Sequence, residues 1–525
     1  MMLTQNLEAV FSYAKSKNIY LDPQEFRFQV ETHPDYPSLL AFSDALSFFN
    51  IPNMAFDLPF DEIDHLSDSF VALLKSDNKS QQSNLYHITK HHNDYVYKDG
   101  NKSLKLEKDQ LKPLWQNVVL LAERPEEYVE KGKSKVFSTG LISLLIIIFI
   151  LGAVWFFTQS FILTIAGLLI SIGLFLSIEA LKVELGLESK ISEGFCNIIV
   201  NADCGQVINS TKSKWLQKIK ISDISIWFFT SQLLGLLIFS VSDFSSKFLD
   251  YLFILLIISI PMTFYSIYFQ YKIEKKWCPI CLSIIGTVYI ELVCLFFLKR
   301  DGDIDIKTFF LFSVIFFIVA GLIYLLKPVL LERKYLNDRY IKQLRFVRNY
   351  EIFKNTLLKS EIENFEEEFI ILGNRESKNK ISIITSPMCG YCKDAHHILE
   401  KIISQHSNDI AISIRFNFSE NFDEKTKNLF LRLGEIYEQK GDNIFIYALK
   451  EWFENKNFEN WFFKFGKPEN TNPVKEKLEK VTKENYNKGL HFTPNLFLNQ
   501  YNYPSLYDRE NLEFFIADWI EDNDL

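Results

Sequence analysis

Six apolar runs decide what this chain can become: Val136–Phe157, Phe161–Leu185, Ile224–Val241, Phe248–Tyr271, Pro279–Leu298 and Phe309–Leu326. Each is close to the roughly 20 residues that cross a bilayer as an α-helix. Lipid offers no hydrogen-bond partners, so such runs must satisfy their amides internally, and six of them predict a transmembrane helical bundle. The first two runs are parted only around Gln159-Ser160, which predicts a tight helical hairpin. Residues 186–222 form the one long loop, and Pro328 is expected to end the last span. Glu179, Lys182 and Glu184 fall in the last two turns of the second run and are read as snorkelling to the interface. The 48% hydrophobic content is therefore an average over polar ends and an apolar middle.

All seven cysteines lie from residue 196 onward: Cys196, Cys204, Cys278, Cys281, Cys294, Cys389 and Cys392. Six form three close pairs, and Cys294, deep in its span, reads as a small apolar residue. So few pairs in so long a chain do not make a disulfide scaffold. Two Cys-x-x-Cys pairs separated by a membrane span are also a poor tetrahedral site, so no metal is expected. Trp277-Cys278-Pro279-Ile280-Cys281 stands at the mouth of the fifth run, where a helix N-terminus favours the thiolate that attacks disulfides.

Further on, residues 329–365 are charged with helical spacing and read as a linker helix. The apolar strand Ile381–Thr385 then precedes Cys389-Gly390-Tyr391-Cys392 and an amphipathic helix through Ile402. Strand, Cys-x-x-Cys, helix is the thioredoxin arrangement, with Cys389 as the exposed nucleophile and Cys392 one turn inside as the resolving thiol. Thr493-Pro494 before the strand at Phe497 matches the cis-proline position of that family. Ala411–Phe418 reads as a strand, residues 424–490 as a helical insertion, and Asn511–Ile520 as a closing helix.

The net charge of −8 and the lack of a basic patch exclude nucleic acid as a partner. Residues 1–30 carry no apolar core of signal-peptide type. Residues 1–130 read as a soluble α/β domain, with helices over Asn6–Ala14 and Leu39–Phe49. Its strands are expected at Phe70–Lys75, Tyr86–Thr89, Tyr95–Tyr97, Lys102–Leu106 and Val118–Ala122, with a hairpin turn at Asp99-Gly100. The block HPDYPSLLAFSDAL, the strands YHITK and DYVYKDG, and the close LWQNVVLLAE resemble the papain-like leader-peptidase domain of peptide-exporting ABC transporters. That family works with a Cys, a His and an Asp. Here His87 and Asp99 stand near the base and its orienting acid, but no cysteine precedes Cys196. A base without a nucleophile cannot run this chemistry, so the resemblance implies a degenerate, peptide-binding or structural module with no peptidase activity. His33 reads as a residue opening a helix, and His91-His92 as a solvated pair.

About residues 160–300 resemble the vitamin K epoxide reductase (VKOR) family. The likeness rests on Cys196 and Cys204 in the loop after the family's first helix, and on Cys-Pro-Ile-Cys opening its fourth. CGQVINS followed by ISDISIWFF looks like the approach to its second helix, with Ser210 at the family's serine position, although the family's glycine after that stretch has no evident counterpart. The resemblance implies a relay: electrons enter at Cys389/Cys392, pass to Cys196/Cys204, then to Cys278/Cys281, and leave to a quinone of ubiquinone or menaquinone type. Ser210 and Cys281 would face that cofactor, and Pro494 would face the Cys389/Cys392 disulfide.

The expected architecture is a multidomain membrane protein. A degenerate leader-peptidase-like domain (1–130) precedes a six-span VKOR-like bundle (136–327), a linker helix (328–365) and a thioredoxin-like α/β domain (366–525). The expected function is a membrane thiol oxidase that makes disulfides in exported proteins or peptides, with a peptide-exporting ABC transporter as a candidate partner. Alternatives are a leader-peptide-binding export accessory whose redox modules serve one cargo, and a relay running reductively. Six spans put all three cysteine pairs on one side, which oxidative folding requires to be the periplasmic side of an inner membrane. Lys and Arg near the span ends concentrate on that same side, which by charge alone reads as cytoplasmic.

Overall fold

The computed structural model describes residues 2–75, 83–91, 94–99, 102–125, 139–187, 202–210, 212, 220–242, 244–297 and 305–525. The chain divides into two compact units, 1–31 with 37–340 and 32–36 with 341–525.

In the first unit, helices α1 (Met2–Ser16), α2 (Pro23–Thr32) and α3 (Leu39–Phe48) accompany a six-stranded antiparallel sheet. Its strands are β1 (Asn53–Asp57), β2 (Ser69–Lys75), β3 (Ser83–His91), β4 (Asp94–Asp99), β5 (Lys102–Glu107) and β6 (Trp115–Ala122), in the order β1-β6-β2-β3-β4-β5. The positions of β2 and β3 on one face, among them Phe70, Ala72, Leu74, Tyr86 and Ile88, enter one core, and Val71, Leu85 and Leu120 are buried on the other face. Five strands and two helices fall where the sequence places them. β1 and α2 were not anticipated, since Asn-Met-Ala-Phe-Asp lacks the β-branched residues that mark strands. The β4–β5 hairpin pairs Asp99 with Lys102, as the turn signal predicts, while Gly100 itself lies outside the described residues.

The same unit holds the apolar helices α4 (Thr139–Thr158), α5 (Phe161–Glu184), α7 (Ile221–Val241), α8 (Ser245–Tyr268), α9 (Pro279–Phe296) and, through residue 340, α10 (Ile306–Val347), with a short α6 (Cys204–Ile208) between α5 and α7. Among the described residues five helices are long and apolar enough to cross a membrane, and α4 contributes a shorter apolar stretch, Ile142–Thr158. The chain is a multi-pass membrane protein. The hairpin between α4 and α5 is built by Gln159 at a positive φ of 48° and by Ser160, whose hydroxyl caps α5 by accepting from the Leu163 amide.

Inside the bundle Leu163, Ile170, Phe229, Leu236, Phe248 and Ile284 join one apolar core, while Phe149, Phe264, Phe297 and Phe317 face outward, as lipid allows. α5 and α7 approach closely because Gly173 has no Cβ: one built there would run into the Phe229 ring.

Two expectations change here. Pro328 does not end the helix that carries the last span: α10 continues through it to Val347. A proline near a membrane-helix end costs one backbone hydrogen bond, and the turns on either side hold the helix together. Glu179 and Glu184 do not snorkel but are buried. Lys182 pairs with Glu179 at 2.7 Å. Lys327 pairs with Glu184 at 2.9 Å and also with Asp223, and Ser222 donates to Glu184. These contacts tie α5, α7 and α10 together at one end, and the apolar periodicity alone did not reveal them.

The second unit opens with α11 (Tyr350–Leu357) and carries a five-stranded mixed sheet. The strands are β7 (Ile370–Gly373), β8 (Asn379–Thr385), β9 (Ile410–Phe416), β10 (Asn495–Leu498) and β11 (Tyr501–Asn502), in the order β11-β10-β8-β9-β7. β8 and β9 run parallel, joined by the crossover helix α12 (Cys392–His406), and β10 lies antiparallel to β8. The anticipated helical insertion consists of α13 (Glu424–Asn455), α14 (Phe458–Phe465) and α15 (Thr471–Asn487). Where one closing helix was anticipated, a 3-10 turn at Arg509–Phe514 leads into a short α16 (Ile516–Glu521).

Candidate functional site

At the mouth of α9, Cys278 is the N-cap: its sulfur accepts from the Cys281 amide at 3.2 Å, and Pro279 fills the first helical position, where no amide is needed. Cys278 is 0% and Cys281 2% exposed, so both thiols lie inside the bundle among Ile280, Ile284 and Val288. Before them, Phe269–Glu274 winds as a π-helix, a local irregularity often found at functional sites. It directs the Gln270 side chain onto Cys278, whose amide donates to Gln270 Oε1 at 2.8 Å.

Cys204 begins α6, capped by Asp203, whose Oδ1 accepts from the Gln206 amide at 2.8 Å. The Asp203 amide donates to the Trp277 carbonyl at 3.0 Å, and Ala202 and Trp277 form a parallel bridge. The residue after each partner is a cysteine of interest, so the chain sets Cys204 beside Cys278. Glu274 reinforces this arrangement: it accepts from Ser210 Oγ, from Gln206 Nε2 at 3.2 Å and from Lys212 Nζ at 3.0 Å. The Ser210 hydroxyl is thus engaged by a carboxylate four residues before Cys278. Neither Glu274 nor Gln270 was singled out from sequence; a lone acid in a lysine-rich connector gives no signal. Cys204 is disulfide-bonded, and Cys196 lies outside the described residues. Cys278, Cys281, Cys294, Cys389 and Cys392 are free thiols. Cys294 is exposed on the outer face of the bundle.

In the second unit, α12 starts at Cys392, so Cys389 lies in the turn before the helix rather than in its first turn. The helix amides still reach it. Burial pushes the Cys389 thiol up, but hydrogen bonds from Cys392, Thr493 and the Cys392 and Tyr391 amides outweigh burial, leaving it below the ordinary thiol value. Burial pushes Cys392, 0% exposed, up to about 11. The two thiols are therefore shifted in opposite directions, Cys389 down and Cys392 up. Thr493–Pro494 is cis, and the Cys389 thiol donates to the Thr493 carbonyl at 3.4 Å. The strand order, the Cys-x-x-Cys before the crossover helix and the cis-proline make this unit thioredoxin-like.

In the N-terminal domain His87 Nδ1 is bonded to Ser12 Oγ and Nε2 to Ser69 Oγ, both at 2.9 Å. Both ring nitrogens thus meet hydroxyls that join α1, β2 and β3. His33 accepts from the Asp35 amide at 3.1 Å at the chain bend. No cluster of metal-binding side chains occurs among the described residues.

Residues 160–296 match the vitamin K epoxide reductase family. This stretch is a VKOR domain. No curated protein sequence matches the chain. Among solved structures the chain is similar to oxidised BdbD from Bacillus subtilis, at 14% identity over 31% of this chain and 98% of that one, with a TM-score of 0.26. It is also similar to the catalytic domain of Proteus mirabilis ScsC, at 17% identity over 33% and 97%, with a TM-score of 0.26. A third likeness is to the peptidase domain of Streptococcus ComA, a bi-functional ABC transporter, at 13% identity over 23% and 93%, with a TM-score of 0.20. A VKOR domain with paired thiols at the mouth of a membrane helix, joined to a thioredoxin-like unit, makes the chain a membrane thiol–disulfide oxidoreductase.

Proposed function

We propose that this VKOR protein generates disulfides in exported proteins or peptides. Cys389/Cys392 takes electrons from the substrate dithiol, Cys196/Cys204 receives them, and Cys278/Cys281 passes them to a quinone. The single observation that supports this path most is the Asp203–Trp277 contact, which sets Cys204 against Cys278. Each step between cysteine pairs exchanges one disulfide for another, so it needs a thiolate, an in-line sulfur and access.

The residues around Cys278 and Cys281 suit a quinone. The side chains packed around them, Ile280, Ile284 and Val288, are aliphatic, and among the described residues Gln270 Nε2 is buried without a partner, a donor of the kind a carbonyl oxygen accepts. When bound, the quinone supplies a two-electron acceptor. Gln270 would hold that donor beside the thiols, and Cys278 and Cys281 would close their disulfide, releasing two electrons and two protons. With Ser210 held by Glu274, its part would be to fix the Cys204 loop at the pocket's edge.

The dithiol sources lie on the periplasmic side of an inner membrane in this reading. The N-terminal domain serves as a peptide-binding module without peptidase activity: it has no cysteine, and its His87 is engaged by Ser12 and Ser69. The test is reduction of a soluble quinone analogue by the purified protein supplied with a reduced dithiol peptide. Cys281→Ala is expected to abolish it; undiminished quinone reduction in that variant overturns the path.

A further inference from the structure

Closing the Cys389–Cys392 disulfide requires Cys392 to lose a proton, yet Cys392 is sealed from solvent at the start of α12. Two side chains lead away from it. Thr385, the last residue of β8 and itself fully buried, places its hydroxyl where it draws the Cys392 thiol down against the push of burial. Thr385 Oγ1 also meets His396 Nε2 at 2.9 Å. His396 stands four residues after Cys392, on the same face of α12, and its ring lies 5.1 Å from that of Phe453 on α13. With Phe453, the ring lines a groove of about 260 Å³ between α12 and α13, lined also by His397, Glu400, Lys450 and Glu454.

We propose that Thr385 and His396 form a proton relay that carries the Cys392 proton from the buried sulfur to the α12–α13 groove. The relay rests on reading Cys389/Cys392 as the exchange pair. In a mixed disulfide at Cys389, the Cys392 S–H proton passes to Thr385 Oγ1 while the hydroxyl proton of Thr385 passes to His396 Nε2. His396 releases its Nδ1 proton to water in the groove and is left as the Nε2–H tautomer. The Cys392 thiolate attacks Cys389, the Cys389–Cys392 bond forms, the bond from Cys389 to the partner breaks, and the partner leaves as a thiolate that takes a proton from solvent. Electrons balance as in any thiol–disulfide exchange.

Packing pushes the His396 ring down to about 3, so it carries no standing charge and works by accepting at one nitrogen while releasing at the other. The titratable side chains lining the groove are Lys393, Asp394, His397, Glu400, Lys450 and Glu454, and the carboxylates of Asp394, Glu400 and Glu454 are the acceptors beside the water that takes the proton. Thr385 and His396 act on the Cys392 proton alone, and neither touches the substrate.

The test uses the full chain in detergent, with glutathione as a mixed disulfide on Cys389 verified by peptide mass. Release of glutathione reports the attack by Cys392 and is timed from about pH 6 to 9, bracketing the ordinary thiol range. Thr385→Val, which keeps shape but loses the hydroxyl, and His396→Phe are each expected to slow release about tenfold to a hundredfold near pH 7, with the deficit shrinking as pH rises. Loading of Cys389 by oxidised glutathione should stay unchanged. Release matching the wild type, or slowed equally at every pH, overturns the relay; Thr385→Val alone decides if His396→Phe does not fold. No release from the wild type overturns the exchange reading itself and the relay with it.

Discussion

The amide of Asp203 donates to the carbonyl of Trp277 at 3.0 Å, and the next residues along the two segments are Cys204 and Cys278. Adjacent extended segments run about 4.8 Å apart, so on the proposed path this contact would guide Cys278 to Cys204. Removing the Asp203 side chain should loosen this contact, because it also caps α6 through the Gln206 amide. Asp203→Ala is expected to cost about 1 kcal/mol locally and to lower the yield of a trapped Cys204–Cys278 mixed disulfide severalfold in a Cys281→Ala background. Peptide mass mapping measures that yield, and trapping at full yield would count against the contact as the guide.

Lys327 answers two carboxylates, Glu184 and Asp223, at the end of the bundle where α5, α7 and α10 meet. Lys327→Met leaves two acids without their cation and should lower stability by about 3 kcal/mol. The triple change Lys327→Met, Glu184→Gln and Asp223→Asn removes the charges together and should cost less than the single one. Thermal unfolding in detergent checks both; a milder single than triple variant refutes the ion cluster as a clamp.

Gly173 leaves room for the Phe229 ring between α5 and α7. Gly173→Val forces the two helices apart, with an expected loss of about 1–3 kcal/mol. Pairing it with Phe229→Ala should restore part of that loss, and the melting temperatures of the single and double variants decide.

The thiols of the thioredoxin-like unit give the reduced protein a biphasic response to pH. Cys389 is held below the ordinary thiol value, so the folded form binds fewer protons there than the unfolded chain and gains stability as pH rises toward that value. Cys392 is pushed up to about 11, so above the ordinary thiol value the folded form keeps a proton the unfolded chain has lost, and stability falls. Reduced protein should therefore be most stable, relative to a Cys389→Ser/Cys392→Ser variant, near the ordinary thiol value. Iodoacetamide should label Cys389 well before Cys392 at neutral pH; equal labelling would contradict the division.

The cysteine pairs and the strand–turn–helix around Cys389 were legible because spacing along the chain encodes them directly. So were the membrane helices, whose length and composition are local properties. Less legible were features that depend on distant partners. Arg415 sits in the middle of β9, fully buried, yet bonds Asn485 at 2.9 Å and Glu484 at 2.7 Å from a helix far along the chain. Glu184, Asp223 and Lys327 look like three unrelated charges until α5, α7 and α10 pack. The π-turn before Cys278 left no trace, because its backbone is set by the need to point Gln270 at Cys278 rather than by propensity. Pro328 misled for a related reason: its cost is judged locally, while the helix it interrupts is held on both sides.

Because the Cys278 sulfur accepts from the Cys281 amide, it pins the first turn of its own helix. Once that sulfur is drawn into a bond with another cysteine, its lone pairs turn elsewhere and the amide beneath it loses its anchor. Each passage of electrons through this protein would thus unfasten and refasten one helical turn at the lip of the bilayer, coupling a chemical state to a small mechanical one.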